Sequence, residues 1–410
     1  MTRPPLEVAD IVRTYGAEFI KQHRRWLTSL HLKVLRAIVA CRTAALGGHI
    51  EQCDSCGQRA ISYNSCLNRH CPKCQAAARQ RWLEKRSAEL LPVPYFHVVF
   101  TLPHLLAPLA LQNKALVYGL LFRAASQTLL QIAADPKHLG ADIGFLAVLH
   151  TWGQTLLHHP HLHCVVPAGG LSPDHRRWIA CRPTFFLPVK VLSRVFRGKF
   201  LAGLQRAFAK HQLTLPGQLA ALQSPAAFAA LLRTAAQPDW VVYAKRPFAG
   251  PAQVLTYLSR YTHRVAIANS RLLAMAAGKI TFRWRDYAHG YQTRIMTLTT
   301  DEFLRRFLLH VLPQRFMRIR YFGWLANRHR TELLDLCRSH LRTSAPPSLT
   351  FGVGHLCTHC RRGTMRVVVD LPPKLRQPVK RQNPWNGENE SWDCLAGSLL
   401  GSSSWPRSSG

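Results

Sequence analysis

Twelve cysteines in 410 residues, half of them in Cys-x2-Cys pairs, restrict what this chain can fold into more than any other feature. Its N-terminus, Met1-Thr-Arg-Pro-Pro-Leu-Glu, has no apolar signal core, which predicts a cytoplasmic protein. In a reducing compartment such pairs indicate metal before disulfide. Cys53-x2-Cys56 and Cys71-x2-Cys74 are separated by 14 residues, the spacing of a four-thiolate structural zinc site in which each pair makes a tight knuckle. Gly57, Arg69 and Pro72 make the surroundings turn-like and polar, unlike a site where cysteines pack as small hydrophobes. Cys41, His49, Cys66 and His70 lie close by and leave open a second ion or a replaced ligand. A further pair, Cys357-Thr-His359-Cys360, has no partner of convincing spacing among Cys337, His340 and His355. Lys73, Arg79, Arg81, Lys85 and Arg86 surround the knot and suggest that it touches DNA.

The segment from His150 to Gly170 carries the second signal, with five histidines within 14 residues. On a strand, residues i and i+2 share a face about 6.6 Å apart, so His161 and His163 aim two imidazoles at one point while Leu162 packs inward. Two convergent neutral imidazoles make half of a metal site. His150 is the expected third ligand, brought alongside by a hairpin through Gly153, with Gln154 and His159 as the alternatives. Imidazole favours Mn²⁺ or another transition ion over Mg²⁺ in affinity, although cellular abundance also bears on the choice.

Lys plus Arg number 54 against 20 Asp plus Glu, a formal charge of +34. A fold does not need that charge, but a polyanion-binding protein does, because each neutralised phosphate releases counterions. Carboxylates are sparse, which argues against a carboxylate-based nuclease or polymerase. Tyr257-Leu-Ser-Arg260-Tyr261-Thr-His-Arg264 then stands out. On a helix the two tyrosines lie one turn apart on one face, with Arg260 and Arg264 beside them as phosphate ligands. A phenolate can attack phosphorus and keep the bond energy as a covalent phosphotyrosine, and two nucleophiles allow two successive strand transfers. A divalent ion on the imidazoles would polarise the scissile phosphate. Arg283-Trp-Arg285 and the run Arg315 to Arg330, which includes Arg320 and Arg328, interleave aromatics with Arg as single-strand binding surfaces do.

Apolar spacing predicts helix from Leu6 to about Leu46, from Gln75 to Leu91, from Leu105 to Ala134, within an Ala/Leu-rich insert at Leu187 to Ala236, and from Asp301 to Val311. Strands are expected at Tyr95–Thr101, Ile143–His150, His161–Val166, Trp240–Ala244 and Lys279–Arg285. Gly250-Pro251 is a helix start for the segment bearing the tyrosines. No run of 18 uncharged apolar residues occurs, so no membrane span is expected. Beyond about Leu371 periodicity disappears and a disordered tail is expected.

Four motifs together, Asn64 to Gln75, His161-Leu-His163, Tyr257 to Arg264 and Arg320 to Arg328, resemble those of the rolling-circle transposases of the IS91 insertion-sequence family. The resemblance runs from about residue 10 to 365. It implies an α+β fold: an HUH endonuclease core, an antiparallel sheet with helices similar to the ferredoxin or RRM arrangement, preceded by a helical zinc-binding domain. The expected boundaries are 1–92 for the zinc-binding, DNA-contacting domain, 93–345 for the endonuclease, 346–370 for a small Cys-pair module and 371–410 for the tail. It further implies His161 and His163 as ligands of a catalytic Mg²⁺ or Mn²⁺, Tyr257 and Tyr261 as nucleophiles, and structural Zn²⁺. The partners would be single-stranded element ends, target DNA and the host replication machinery. The oligomeric state is not legible in the chain. The competing readings are a non-catalytic zinc-dependent DNA-binding regulator, a plasmid replication initiator or relaxase with the same chemistry, and a small-substrate zinc hydrolase. The last lacks a carboxylate base near its ligands apart from Asp174.

Overall fold

The fold was read from a computed structural model, in which residues 5–248, 266–287, 289–344 and 356–374 are described. The helices are α1 (Val8–Gln22), α2 (Ser29–Ala40), α3 (Pro72–Ser87), α4 (Ala107–Gln112), α5 (Lys114–Ala134), α6 (Val189–Ala209), α7 (Pro225–Ala236), α8 (Thr300–Leu309) and α9 (Arg330–His340). The strands are β1 (Gly48–Cys53), β2 (Arg59–Tyr63), β3 (Tyr95–Thr101), β4 (Gly144–Trp152), β5 (His158–Pro167), β6 (Gly169–Leu171), β7 (Trp178–Ala180), β8 (Val242–Phe248), β9 (Leu272–Ala276), β10 (Lys279–Asp286), β11 (Gln292–Thr299), β12 (Ile319–Gly323) and β13 (Met365–Leu371). None of the described helices is long and apolar enough to cross a membrane.

The central sheet has five strands in the order β12-β4-β5-β3-β8, with every neighbouring pair antiparallel. Taking β3, β4, β5 and β8 with the helices between them gives a βαββαβ succession, a split βαβ arrangement with β12 added on the outside. The pleat sorts the side chains. Phe96, Val98 and Phe100 of β3, Phe145, Ala147 and Leu149 of β4, and Leu162, Cys164 and Val166 of β5 face one way. They pack with Tyr118, Leu121 and Phe122 of α5 and Phe196 and Phe200 of α6. Each fully buried aromatic of this layer contributes about 1.5–3 kcal/mol. The alternate residues Tyr95, Leu146, Val148 and Val165 join Leu91, Trp324, Leu334 and Cys337 on the opposite face. Burial on both faces explains why β4 reads as an almost continuous apolar run. The strand edge is closed tightly at Gly323, which has φ +60°; a Cβ there would collide with the Ile143 carbonyl.

The predicted helix over residues 6–46 is two helices. Glu7 and Asp10 form a reciprocal capping box at the start of α1, and Thr28 caps α2 by accepting from the His31 N–H at 3.3 Å. Both pack away from the central sheet. Val8, Ile11, Phe19, Val34, Leu35 and Ile38 share a core with Ile280 and Phe282 of β10 and Phe303, Phe307 and Leu308 of α8. The β9–β10–β11 meander is thus the floor under the N-terminal helices.

Two domain expectations change as a result. The boundary at residue 92 does not isolate the N-terminal part, because its helices share their core with residues 266–311. Of the expected 346–370 module, residues 346–355 lie outside the described residues, and β13 pairs with β1 from Gly48↔Leu371 to Cys53↔Met365, completing a β13-β1-β2 sheet. The tail beyond residue 374 lies outside the described residues.

Candidate metal centre and nucleic-acid interface

The pleat and the pairing register of the central sheet build the histidine cluster. His161 and His163 alternate with the core residues Leu162 and Cys164, so they point away from α5 and α6. His150 lies directly across the β4–β5 ladder from His161, and directly paired residues share a face. One ligand nitrogen from each of His150, His161 and His163 falls within a mutual 4.8 Å. Ring centroids are 4.3 Å apart for His150–His163, 4.8 Å for His161–His163 and 5.4 Å for His150–His161. The hairpin turn after Gly153 makes this approach possible; the Gly153 N–H donates to the Leu157 carbonyl at 3.0 Å. His159 and Gln154 are not in the cluster. The His159 carbonyl lies 2.7 Å from His161 Nδ1, and Gln154 Nε2 donates to the Tyr287 hydroxyl at 2.9 Å.

The donor set fits a divalent ion. Burial lowers the pKa of His161 to about 3 and that of His163 well below the ordinary value, with neighbouring imidazoles adding to the effect, so both rings are neutral and able to ligate. With His161 Nδ1–H donating to the His159 carbonyl, its Nε2 lone pair is left for metal. His163 Nδ1 lies 2.8 Å from His97 Nε2, and the two rings meet edge to edge and nearly coplanar, with centroids 5.0 Å apart and planes 5° apart. His97 therefore orients His163 from the neighbouring strand as an outer-shell partner would. It was not picked out in the sequence. Its only signal is one histidine in Tyr95–Thr101, and which strand lies beside β5 has to be known before that matters. The indole of Trp152 stacks on His150 at 4.4 Å.

Tyr257, Tyr261, Arg260 and Arg264 lie outside the described residues. Arg283 and Arg285 are exposed on the face of β10 opposite the buried Ile280 and Phe282. Arg283 donates to the Ser270 carbonyl at 3.0 Å. At the turn beyond β10, Tyr287 and Tyr291 are exposed and meet edge-on at 5.3 Å. Arg328 is also exposed. Arg320, expected to bind DNA, is half-buried: its guanidinium lies 4.2 Å above the Phe122 ring and 5.2 Å from that of Phe316, and Nε donates to the Met317 carbonyl at 3.1 Å. The aromatics around it are structural. Phe322 stacks on Phe145 at 5.2 Å, Trp324 is buried, and Tyr321 sits between the guanidiniums of Arg86 and Arg330 at 5.5 and 5.2 Å.

The cysteines correct the single four-thiolate set of Cys53, Cys56, Cys71 and Cys74. These two pairs belong to different groups, Cys41 with Cys66, Cys71 and Cys74, and Cys53 with Cys56, Cys357 and Cys360. The reason is directional. The β1–β2 hairpin carries the Cys53 knuckle towards the returning β13, whereas Cys71 caps α3 and, with Cys74, faces Cys41 at the end of α2. In the first group Cys41 Sγ lies 3.4 Å and Cys66 Sγ 3.5 Å from Cys74 Sγ. A zinc tetrahedron with Zn–S of about 2.3 Å has edges of about 3.8 Å, so this donor set fits structural zinc. Lys73 forms an ion pair with Glu7 at 2.7 Å, tying the start of α3 to the cap of α1. His70 is not a ligand: its Nε2 accepts from the Leu312 N–H at 3.1 Å.

Comparison with known proteins agrees with these features. Residues 11–102 match the family described as "Transposase zinc-binding domain", and residues 144–332 match the one described as "Putative transposase". The "Putative transposase y4qJ" of Sinorhizobium fredii is 60% identical over 351 residues, covering 85% of this chain and 88% of that protein. The "Transposase for insertion sequence element IS801" of Pseudomonas savastanoi pv. phaseolicola is 30% identical over 345 residues, covering 79% of this chain and 78% of that protein. No solved structure matches the chain. With a zinc-binding segment, a transposase segment and relatives matched over most of its length, the chain belongs to the IS91 family of insertion-sequence transposases.

Proposed function

We propose that this transposase nicks single-stranded DNA at the ends of its element and joins it to a target by rolling-circle chemistry, using an HUH-type core. The observation that carries the reading is the convergence of His150, His161 and His163 on one face of a split βαβ sheet. Bound there, Mg²⁺ or Mn²⁺ would supply Lewis-acid polarisation of the scissile phosphate. The neutral imidazoles hold that position, and His97 keeps the His163 ring from turning. Tyr257 or Tyr261 supplies the nucleophile: its phenolic oxygen bonds to phosphorus, the P–O3′ bond breaks, and the departing strand keeps a free 3′-hydroxyl while the 5′ end stays on the tyrosine. That hydroxyl would be extended by host replication enzymes, and the second tyrosine would act at the target. Arg260, Arg264, Arg283, Arg285 and Arg328 would neutralise phosphates, in keeping with the +34 charge. Such a protein works in the cytoplasm on nucleoid DNA.

The test is the double variant Tyr257→Phe/Tyr261→Phe, incubated with single-stranded element-end DNA and Mn²⁺. Loss of the covalent protein–DNA adduct is expected. An undiminished adduct would overturn the nucleophile assignment, and a wild-type protein that binds the ends but never nicks them would favour the regulator reading.

A further inference from the structure

We propose that Cys53, Cys56, Cys357 and Cys360 hold a second structural zinc ion, which clasps the segment following the transposase region onto the N-terminal hairpin. Neither matched family region contains Cys357 or Cys360, since the two end at residues 102 and 332. The four sulfurs fall within a mutual 4.8 Å. Cys53–Cys360 and Cys56–Cys357 are 3.6 and 3.8 Å apart, against about 3.8 Å for the edge of a zinc–thiolate tetrahedron.

The two knuckles have matching backbones. The Gly57 N–H donates to the Cys53 carbonyl at 3.1 Å, and the Arg361 N–H to the Cys357 carbonyl at 2.9 Å. Backbone N–H groups also point at the sulfurs, Ser55 to Cys53 Sγ and Gly363 to Cys360 Sγ, both at 3.4 Å. Such donors stabilise thiolate, the form that binds zinc after each thiol has released its proton. Asp54 joins the halves, accepting from the Thr364 N–H at 2.8 Å and pairing with Arg366 at 3.3 Å.

Among the described residues, packing alone gives this subdomain little core. Its buried cluster among those residues is Cys53, Cys357 and Met365, with Cys360 against it. The valines of β13 are spent on the surface: Val367, Val368 and Val369 are 56%, 49% and 48% exposed. So small a core needs a staple, and the staple available is four convergent thiols. The first cysteine group differs, because Cys41, Cys71 and Cys74 are embedded in the large core shared by α1, α2, β10 and α8. Two ions would therefore do different work. One sits within a core that packing already supports, and the other joins knuckles about 300 residues apart in the chain.

The experiment uses the full chain loaded with zinc and probed with N-ethylmaleimide, followed by peptide mass mapping. Eight cysteines, four from each group, are expected to be protected, and a chelator should expose Cys53, Cys56, Cys357 and Cys360 together. In Cys357→Ser/Cys360→Ser, Cys53 and Cys56 should label freely while Cys41, Cys66, Cys71 and Cys74 stay protected. With Co²⁺ in place of zinc, thiolate-to-metal absorption should fall by half in that variant. Labelling of Cys357 and Cys360 in the zinc-loaded wild type, protection that a chelator leaves unchanged, or continued protection of Cys53 and Cys56 in the variant would each overturn the proposal. The wild-type chelator arm decides the matter even if the variant folds poorly.

Discussion

Replacing His97 by Phe separates the support of the candidate metal centre from its proposed ligands. The phenyl ring keeps a planar aromatic side chain beside His163 but puts C–H in place of the nitrogen 2.8 Å from His163 Nδ1. His97 is only 4% exposed, so water cannot readily replace that nitrogen. Removing an outer-shell partner typically lowers metal affinity 10–100-fold, equivalent to about 1.4–2.7 kcal/mol. We predict that the Mn²⁺ concentration giving half-maximal nicking of a labelled single-stranded substrate rises by that factor. Activity at saturating Mn²⁺ should be largely restored, because no ligand has been lost. His97→Gln, which can accept from His163, should recover part of the affinity. The metal-free melting temperature reports any general damage separately. An unchanged Mn²⁺ dependence in His97→Phe would refute the idea that His97 orients a ligand.

Three further outcomes are expected. Phe145→Ala removes a fully buried ring stacked at 5.2 Å on Phe322 and should cost about 3–5 kcal/mol, read as a lower denaturant midpoint. Gly323→Ala forces a Cβ into the Ile143 carbonyl at φ +60° and should destabilise the β12 edge by more than about 1 kcal/mol, seen as faster amide exchange in β12 and β4. His310 is 1% exposed, with Nε2–H donating to the Leu156 carbonyl at 3.0 Å, and burial lowers its pKa to about 3 from 6.5. Because the folded value is the lower one, its stabilisation is complete above pH 6.5 and is lost as pH falls from 6.5 towards 3, at about 1.4 kcal/mol per pH unit. His310→Gln should make the acid-side stability profile shallower by that amount; an identical slope would contradict it.

The histidine cluster was legible because strand parity is a local rule. His161 and His163 needed only the alternation of β5, and His150 only a hairpin closed near Gly153. Most strands followed from similar local patterns, whereas the α+β class came from the family resemblance. What failed was long-range. Nothing near Cys53 says that its knuckle will close on Cys360, 307 positions away, rather than on the nearer Cys71 pair. The same limit hid His97, which matters only because β3 lies beside β5. The aromatics near Arg320 carry a pattern equally consistent with base stacking and with core packing, and Phe145 and Phe122 decided in favour of packing. The sharing of one core by α1, α2 and residues 266–311 also joins distant parts of the chain.

The most direct measurement is electron spin-echo spectroscopy of Mn²⁺ bound to the full chain with a single-stranded oligonucleotide. Modulation from histidine nitrogen is predicted in the wild type and should vanish in His161→Ala/His163→Ala, together with the covalent adduct. Bound Mn²⁺ without histidine nitrogen coupling, or an adduct that survives the double replacement, would contradict a metal held by these imidazoles.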